Sequence, residues 1–224
     1  FAGFSGGRKS VMPGISDRRT VLGNHCAQFI ASPFARTGIL ENNPIHTDMS
    51  SAAQMAKLAY IVNVVIDKDK KVVAAFAGDA VKAHAAGCEY LKGQCSVAAS
   101  PADIVITGNG GEPFDQNIYQ CVKCMTAAEA MAREGGTIIV CGNCSDNIGG
   151  EMFYNAVKNC SSIEDLEHRI LQTPMDKTVP DQWQYQILCR ILKKHRVIFV
   201  TRPDLQNIIT DMKMEYADSA DNAL

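Results

Sequence analysis

Two apolar runs separated by a charged turn set the first readable register of this chain. Tyr60-Ile-Val-Asn-Val-Val-Ile66 and Lys71-Val-Val-Ala-Ala-Phe76 flank Asp67-Lys-Asp-Lys70. Runs rich in β-branched residues and bounded by a polar turn read as strands, and so short a connection makes them antiparallel neighbours. Upstream, Ser16-Asp17 supplies a cap for a helix from about Arg18 to Ala31, which Pro33 ends. Thr47-Asp48 opens a second helix running through Leu58, and a third is expected from about Ala80 to Leu91.

The polar, small-residue stretch Lys92 to Pro101 then reads as a domain boundary, because the rhythm changes after it. Strand Asp103-Ile-Val-Ile-Thr107 is followed by a glycine loop, a helix from Asp115 to Arg133 capped by Asp115, and strand Thr137-Ile-Ile-Val140. A loop over 142–150, three helical stretches, strand Arg196-Val-Ile-Phe-Val-Thr201 and a final helix from Asp204 complete the chain. Alternating apolar strands and helices predict a parallel sheet with helices on both faces. The expected fold class is therefore α/β in two lobes. Residues 1–97 are the C-terminal portion of an N-terminal α/β domain, and residues 98–224 are a Rossmann-like domain.

Composition excludes several function classes. The 46% hydrophobic content of the 224 residues supports a sizeable core. A net charge of −2 with scattered Lys and Arg gives no basic face, so nucleic acid is not an expected partner. The most apolar stretch, Ala59 to Ile66, is short and broken by Asn63, so no membrane span is expected. Nine cysteines with no secretory segment point to reduced thiols and a cytoplasmic setting. The chain opens on Phe1 and stops at Leu224 within an apparent helix, which reads as a piece of a longer protein.

Chemistry concentrates first in Phe1-Ala-Gly-Phe-Ser-Gly-Gly-Arg-Lys-Ser10. Gly3, Gly6 and Gly7 let the backbone bend and approach a ligand, so that amide N–H groups can converge on an anion. The run misses a phosphate-cradling P-loop because Arg8 takes the place of its last glycine and no hydrophobic strand precedes it. Taken alone, it is a surface turn carrying Lys9. His25 follows sixteen positions after Lys9, and Tyr119, Gln120 and Lys123 lie on the helix after the first parallel strand. Ligands of open α/β sheets sit beyond the carboxyl ends of the strands, which is where that helix begins. Tyr119 and Lys123 share a helical face, a spacing that an ordinary amphipathic helix also produces.

Gly3-Phe-Ser-Gly-Gly-Arg-Lys-Ser-Val-Met-Pro-Gly-Ile15 with Asn24-His25, together with Asn109-Gly-Gly-Glu-Pro-Phe-Asp-Gln-Asn-Ile-Tyr-Gln-Cys-Val-Lys123, resembles the nickel-dependent lactate racemase family. The likeness extends through Phe76-Ala-Gly-Asp79, Ala83-His84 and Gly135-Gly136, and so covers most of the chain. It implies a racemase or epimerase of a 2-hydroxy acid. Lys9 would be covalently tethered to a nickel-pincer nucleotide, pyridinium-3-thioamide-5-thiocarboxylic acid mononucleotide, and His25 would be a nickel ligand. Gly3, Gly6 and Gly7 would shape the cofactor loop. Lys123 would hold the substrate carboxylate as a point charge, Gln120 would donate a hydrogen bond, Tyr119 would shape the pocket, and Trp183 would lie near the substrate.

The chemistry implied is reversible hydride removal from the α-carbon through a 2-keto acid, which avoids a carbanion beside a carboxylate. The two acid–base histidines and a carboxylate-gripping arginine of the family lie upstream of the lysine loop. The isolated piece is therefore expected to be inactive, with the remainder of the N-terminal domain and the cofactor-biosynthesis proteins as its partners.

Two rival readings use the same residues. Lys9 could form a Schiff base with pyridoxal phosphate held by the glycine loop. Cys121, Cys124, Cys141 and Cys144 form C-x2-C, sixteen residues, C-x2-C, which is zinc-site spacing for a non-enzymatic interaction module. The first pair reads as mid-helix, which works against zinc. Of the other histidines, His46 reads as a loop residue, His84 as packing near the cofactor or against the core, and His168 and His195 as solvated.

Overall fold

A computed structural model describes residues 3–224. The chain divides into two compact units, Phe1–Ala98 and Ala99–Leu224.

In the first unit a single 3-10 turn, Gly7–Ser10, precedes helices α1 (Arg18–Asn24), α2 (Ala27–Ala31) and α3 (Pro44–Met55). Asp17 caps α1 by accepting from Thr20 N at 2.7 Å. The expected continuous helix over 18–31 is interrupted. His25 leaves helical geometry, its ring nitrogen Nδ1 bonds to Val21 O, and Cys26 is extended ahead of α2. His25 therefore ends one helix instead of sitting within one. The next helix starts earlier than Thr47, because Asn43 accepts from Ile45 N and His46 N and Pro44 occupies the first turn, where its missing N–H costs nothing. His46 is accordingly helical, contrary to the loop expected.

Strands β1 (Ile61–Ile66) and β2 (Val72–Gly78) pair antiparallel, with Asn63 opposite Phe76 and a shift in register after Val65. Helix α4 (Ala80–Cys95) packs on both strands. Its cap, Asp79, accepts from Val81 N and Lys82 N.

The second unit is a parallel sheet of β3 (Ala102–Gly108), β4 (Ala132–Cys141), β5 (Arg196–Val200) and β6 (Glu215–Ala217), in that spatial order. Helix α5 (Ile118–Glu129) links the first two strands. Helices α6 (Glu151–Lys158), α7 (Ile163–Leu171) and α8 (Gln182–Leu192) lie between β4 and β5, α9 (Gln206–Asp211) precedes β6, and α10 (Ala220–Ala223) follows it. On one sheet face Ile139, Ile198 and Ala217 pack with Ala223 of α10. Strand alternation sends Ile138, Val140, Val197 and Phe199 to the other face, and all four are buried. Helix α5 packs on β3 and β4 and also against α8, whose sides are buried nearly all round. Helices thus cover both faces, as the alternation predicts.

Further boundaries differ from the sequence expectation, including the end of α5 at Glu129 instead of Arg133 and the start of β4 at Ala132 instead of Thr137. Helix α5 starts at Ile118 with Asn117 as its cap, while the Asp115 carboxylate instead accepts from Asn143 N at 3.1 Å in the loop after β4. The short β6 carries too few apolar residues to signal itself locally, and pairing with β5 creates it, whereas α10 is capped locally by Ser219, which accepts from Asn222 N.

Candidate functional site

In the first unit the glycines of the lysine loop make close approach possible. Gly6 (φ +76) and Gly7 (φ +51) lie in the left-handed region, as does Gly3. A Cβ on Gly6 would fall 1.8 Å from Asn63 Nδ2 of β1, and one on Gly7 would fall 2.9 Å from the His84 ring of α4. The 3-10 turn bearing Lys9 is therefore seated directly on β1 and α4. Arg8, which broke the P-loop pattern, is what anchors it. Its side chain is only 5% exposed, and Nη1 donates to His84 Nε2 at 2.6 Å while Nη2 donates to Phe4 O at 3.3 Å. Sequence reasoning passed over Arg8, although the mismatch itself was the signal.

Burial, then the Arg8 charge, pushes the His84 imidazole below the usual histidine range. His46 stacks on His84 with ring centroids 6.5 Å apart and is pushed down to about 4, first by burial and then by Arg8. His84 packs against the lysine loop, touching Arg8 and the backbone at Ser5 and Gly7. His195, expected to be solvated, is 7% exposed.

His25 is part-buried and is also pushed down to about 4, first by desolvation and in small part by the charge of Lys9. Its Nδ1 bonds to Val21 O at 3.0 Å. That bond assigns the proton to Nδ1 and the ring lone pair to Nε2, the form in which imidazole ligates a metal. The same Lys9 charge acts on His84, so Lys9, His25 and His84 form one electrostatic neighbourhood. This donor set fits a nickel-bearing anionic nucleotide: an amine to tether it, a neutral imidazole held in the ligating tautomer, and a glycine turn.

In the second unit the loop over 142–150 lies along the start of α5. Ile118 N donates to Asn147 O at 3.0 Å and Tyr119 N to Ile148 O at 3.2 Å, while Asn117 Oδ1 accepts from Gln120 N at 2.9 Å. Asn117 also donates to Asp146 at 2.9 Å. These bonds satisfy the first amides of the helix and fix Tyr119 and Gln120. Trp183, in the first turn of α8, donates from Nε1 to Tyr119 Oη at 3.0 Å, and Gln184 donates to Tyr119 O at 2.5 Å. Phe153 meets the Tyr119 ring edge-on with centroids 5.4 Å apart. Burial and then the charge of Asp181 push the Tyr119 phenol up, so it remains protonated.

Lys123 is exposed and donates to Gln120 Oε1 at 2.5 Å. The structure thus brings Tyr119 together with Trp183, and Gln120 together with Lys123. Asn109 donates to Gln120 O at 3.1 Å and to Phe114 O, holding the loop after β3. Asn117, Gln184 and Asn109 were not singled out from sequence; Asn117 alone had a signal, as an Asn before an apolar helix. A cleft of about 360 Å³ lined by Asn159, Arg169, Lys177 and Tyr185 involves none of the expected site residues.

The four-cysteine zinc site is not formed. Among the described residues no group of three or more His, Cys, Asp or Glu side chains converges as a metal site would need. Cys121 and Cys124 lie in the helix α5, Cys141 ends β4, and only Cys121 and Cys144 meet, with sulfurs 4.0 Å apart. Nor is any helix of the described residues long and apolar enough to cross a membrane.

Residues 97–224 match the model of the lactate racemase C-terminal domain, and residues 1–38 match that of the lactate racemase N-terminal domain. The whole chain is 54% identical to a lactate racemase from Thermoanaerobacterium thermosaccharolyticum and 52% identical to one from Lactiplantibacillus plantarum, covering 53% of each relative. It superposes on the lactate racemase apoprotein of T. thermosaccharolyticum with a TM-score of 0.97 at 53% identity, covering 100% of this chain and 54% of that one. The chain spans about half the length of the curated relatives it matches.

Proposed function

The chain belongs to the lactate racemase family, and from that premise we propose that it is the cofactor-holding and substrate-orienting part of a racemase of a 2-hydroxy acid such as lactate. The observation that carries the reading is identity of 52–54% along every residue of the chain with two lactate racemases.

Lys9 would tether a nickel-pincer nucleotide through its side-chain nitrogen, and His25 Nε2 would ligate the nickel. The neutral imidazole supports this, since burial keeps the proton off the ligating nitrogen well below neutral pH. When bound, the group supplies a reversible acceptor for the hydride on the substrate α-carbon. Arg8 and His84 keep the turn under Lys9 rigid through their 2.6 Å hydrogen bond. Lys123 would attract the substrate carboxylate as an ammonium, with Gln120 contributing an amide donor, because Lys123 already engages its carbonyl oxygen. Tyr119 and Trp183 form a hydrogen-bonded wall that excludes water from one side of the substrate. Orientation is the catalytic contribution of these residues. The acid and base that move the hydroxyl proton would come from the remainder of a longer protein, and cofactor-biosynthesis proteins would load Lys9. Nine free cysteines support a reducing, cytoplasmic setting.

Peptide mass mapping tests the reading in full-length protein made by a host competent for the cofactor. The peptide containing Lys9 should carry a nickel-dependent mass increment, which Lys9→Arg abolishes. An unmodified Lys9 in a preparation that racemises lactate overturns the tether.

A further inference from the structure

We infer that Cys121 and Cys144 are a modification site, closing to a reversible disulfide that staples the start of α5 to the loop over 142–150 when an oxidant is present. The two buried sulfurs lie 4.0 Å apart and a disulfide brings them to about 2.05 Å, so roughly 2 Å of approach completes the bond. The surroundings favour that approach. Gly142 has no side chain to separate the pair, and a Cβ there would fall 2.8 Å from Cys121 Sγ and 3.6 Å from Cys144 Sγ. The loop side carries residues of positive φ at Cys144 and Asn147 as well as Gly149, so its path is set by turn geometry instead of by a helix or strand. Either sulfur can donate across the contact, and the Cys121 thiol is pushed up, first by that contact with Cys144 and then by burial. Cys144 is lowered, first by its hydrogen bond with Cys121 and in smaller part by Thr201 and Arg202, while burial and Asp115 oppose this, and it is taken as the attacking thiol.

The chemistry balances with a peroxide as oxidant. Cys144 thiolate attacks the O–O bond and becomes a sulfenic acid as hydroxide leaves. Cys121 then attacks the sulfenic sulfur, the S–S bond forms, and the sulfenic hydroxyl departs with the Cys121 proton as water. Two thiols lose two electrons and the peroxide becomes two waters.

The consequence reaches the substrate-side helix. Cys144 N donates to Asp115 O at 3.0 Å, and the carbonyls of Asn147 and Ile148 hold the Ile118 and Tyr119 amides, so drawing the sulfurs together moves the strip that carries Tyr119. Trp183, the sole tryptophan, is hydrogen-bonded to Tyr119 and reports that movement. The regulatory meaning rests on the reading of α5 as substrate-binding; the disulfide itself does not.

The test uses the 224-residue chain carrying Cys95→Ser, which removes an exposed thiol. Native protein is treated with hydrogen peroxide, alkylated under denaturing conditions and mapped, with Trp183 emission followed in parallel. Expected is a linked pair of peptides containing Cys121 and Cys144, lighter by two hydrogens, with an emission change that dithiothreitol reverses; Cys144→Ser and Cys121→Ser each abolish both. Complete alkylation of both cysteines, or a link formed only in denaturant, overturns the site. A link without an emission change overturns its coupling to α5. None of these readings depends on Lys9 or on a bound cofactor, so they remain decisive whatever the protein racemises.

Discussion

Replacing Asn117 by alanine isolates the device that places Tyr119 and Gln120. The side chain is 4% exposed, accepts from Gln120 N at 2.9 Å, and donates to Asp146 at 2.9 Å. Loss of an N-cap side chain costs about 1 kcal/mol. The bond to a carboxylate would be worth more in a dry site, but Asp146 is exposed and water replaces the donor, leaving about 0.5–1 kcal/mol. Gly149 lies directly over this side chain, since a Cβ there would fall 2.3 Å from Asn117 Cγ. The sum is about 2 kcal/mol, a change of more than tenfold in the unfolding constant. Urea unfolding followed by Trp183 emission reads the second unit alone, because the first contains no tryptophan. With a slope near ~2 kcal/mol/M, the midpoint should fall by about 1 M at unchanged slope. Asn117→Ser, which keeps an acceptor, should recover about half. A midpoint unchanged in Asn117→Ala, or a serine variant no better than alanine, refutes the capping argument.

Phe153→Ala removes a fully buried ring that also supports Tyr119, so the same denaturation should show a loss of about 3–5 kcal/mol; a loss below about 1 kcal/mol would mean that the ring is not a core element. In Arg8→Met the cation beside His84 is gone, and NMR titration should find the His84 imidazole titrating at higher pH than in the parent; an identical curve refutes the assignment of Arg8 as a cause. The pH dependence of stability follows from histidines held neutral in the folded chain. His25 and His46 titrate at about 4 when folded and at about 6.5 when unfolded, and His84 is lowered in the same direction. Between those values the unfolded state binds more protons, so stability falls as pH drops from about 6.5 toward 4, by at most ~1.4 kcal/mol per pH unit for each ring. Thermal unfolding by circular dichroism should show this slope reduced in His46→Gln, and an unaltered profile in that variant would count against it.

Local pattern carried much of this molecule. The antiparallel pair around Asp67–Lys70, the strands at 103–107, 137–140 and 196–201, and the α/β class were legible because side-chain alternation and turn chemistry act over a few residues. The lysine loop and the Tyr119 block were legible as a resemblance, carried by the residues themselves. The break at His25 was not, although Gly23-Asn24-His25-Cys26 is a run of weak helix formers; at the break the His25 ring bonds back to Val21 O. The true start of α5 and the sheet partnership of Glu215–Ala217 also escaped, because carbonyls and strands distant in sequence decide them. Side-chain partnerships were hidden for the same reason. By itself the sequence determined the antiparallel pair, three strands of the parallel sheet and which residue types sit on the lysine loop and α5. Only the tertiary structure decided that Arg8 is buried on His84, that Trp183 holds Tyr119 from 64 positions away, and that two of four cysteines meet. Burial and hydrogen bonding between distant segments depend on strand order and helix placement, which no local spacing encodes.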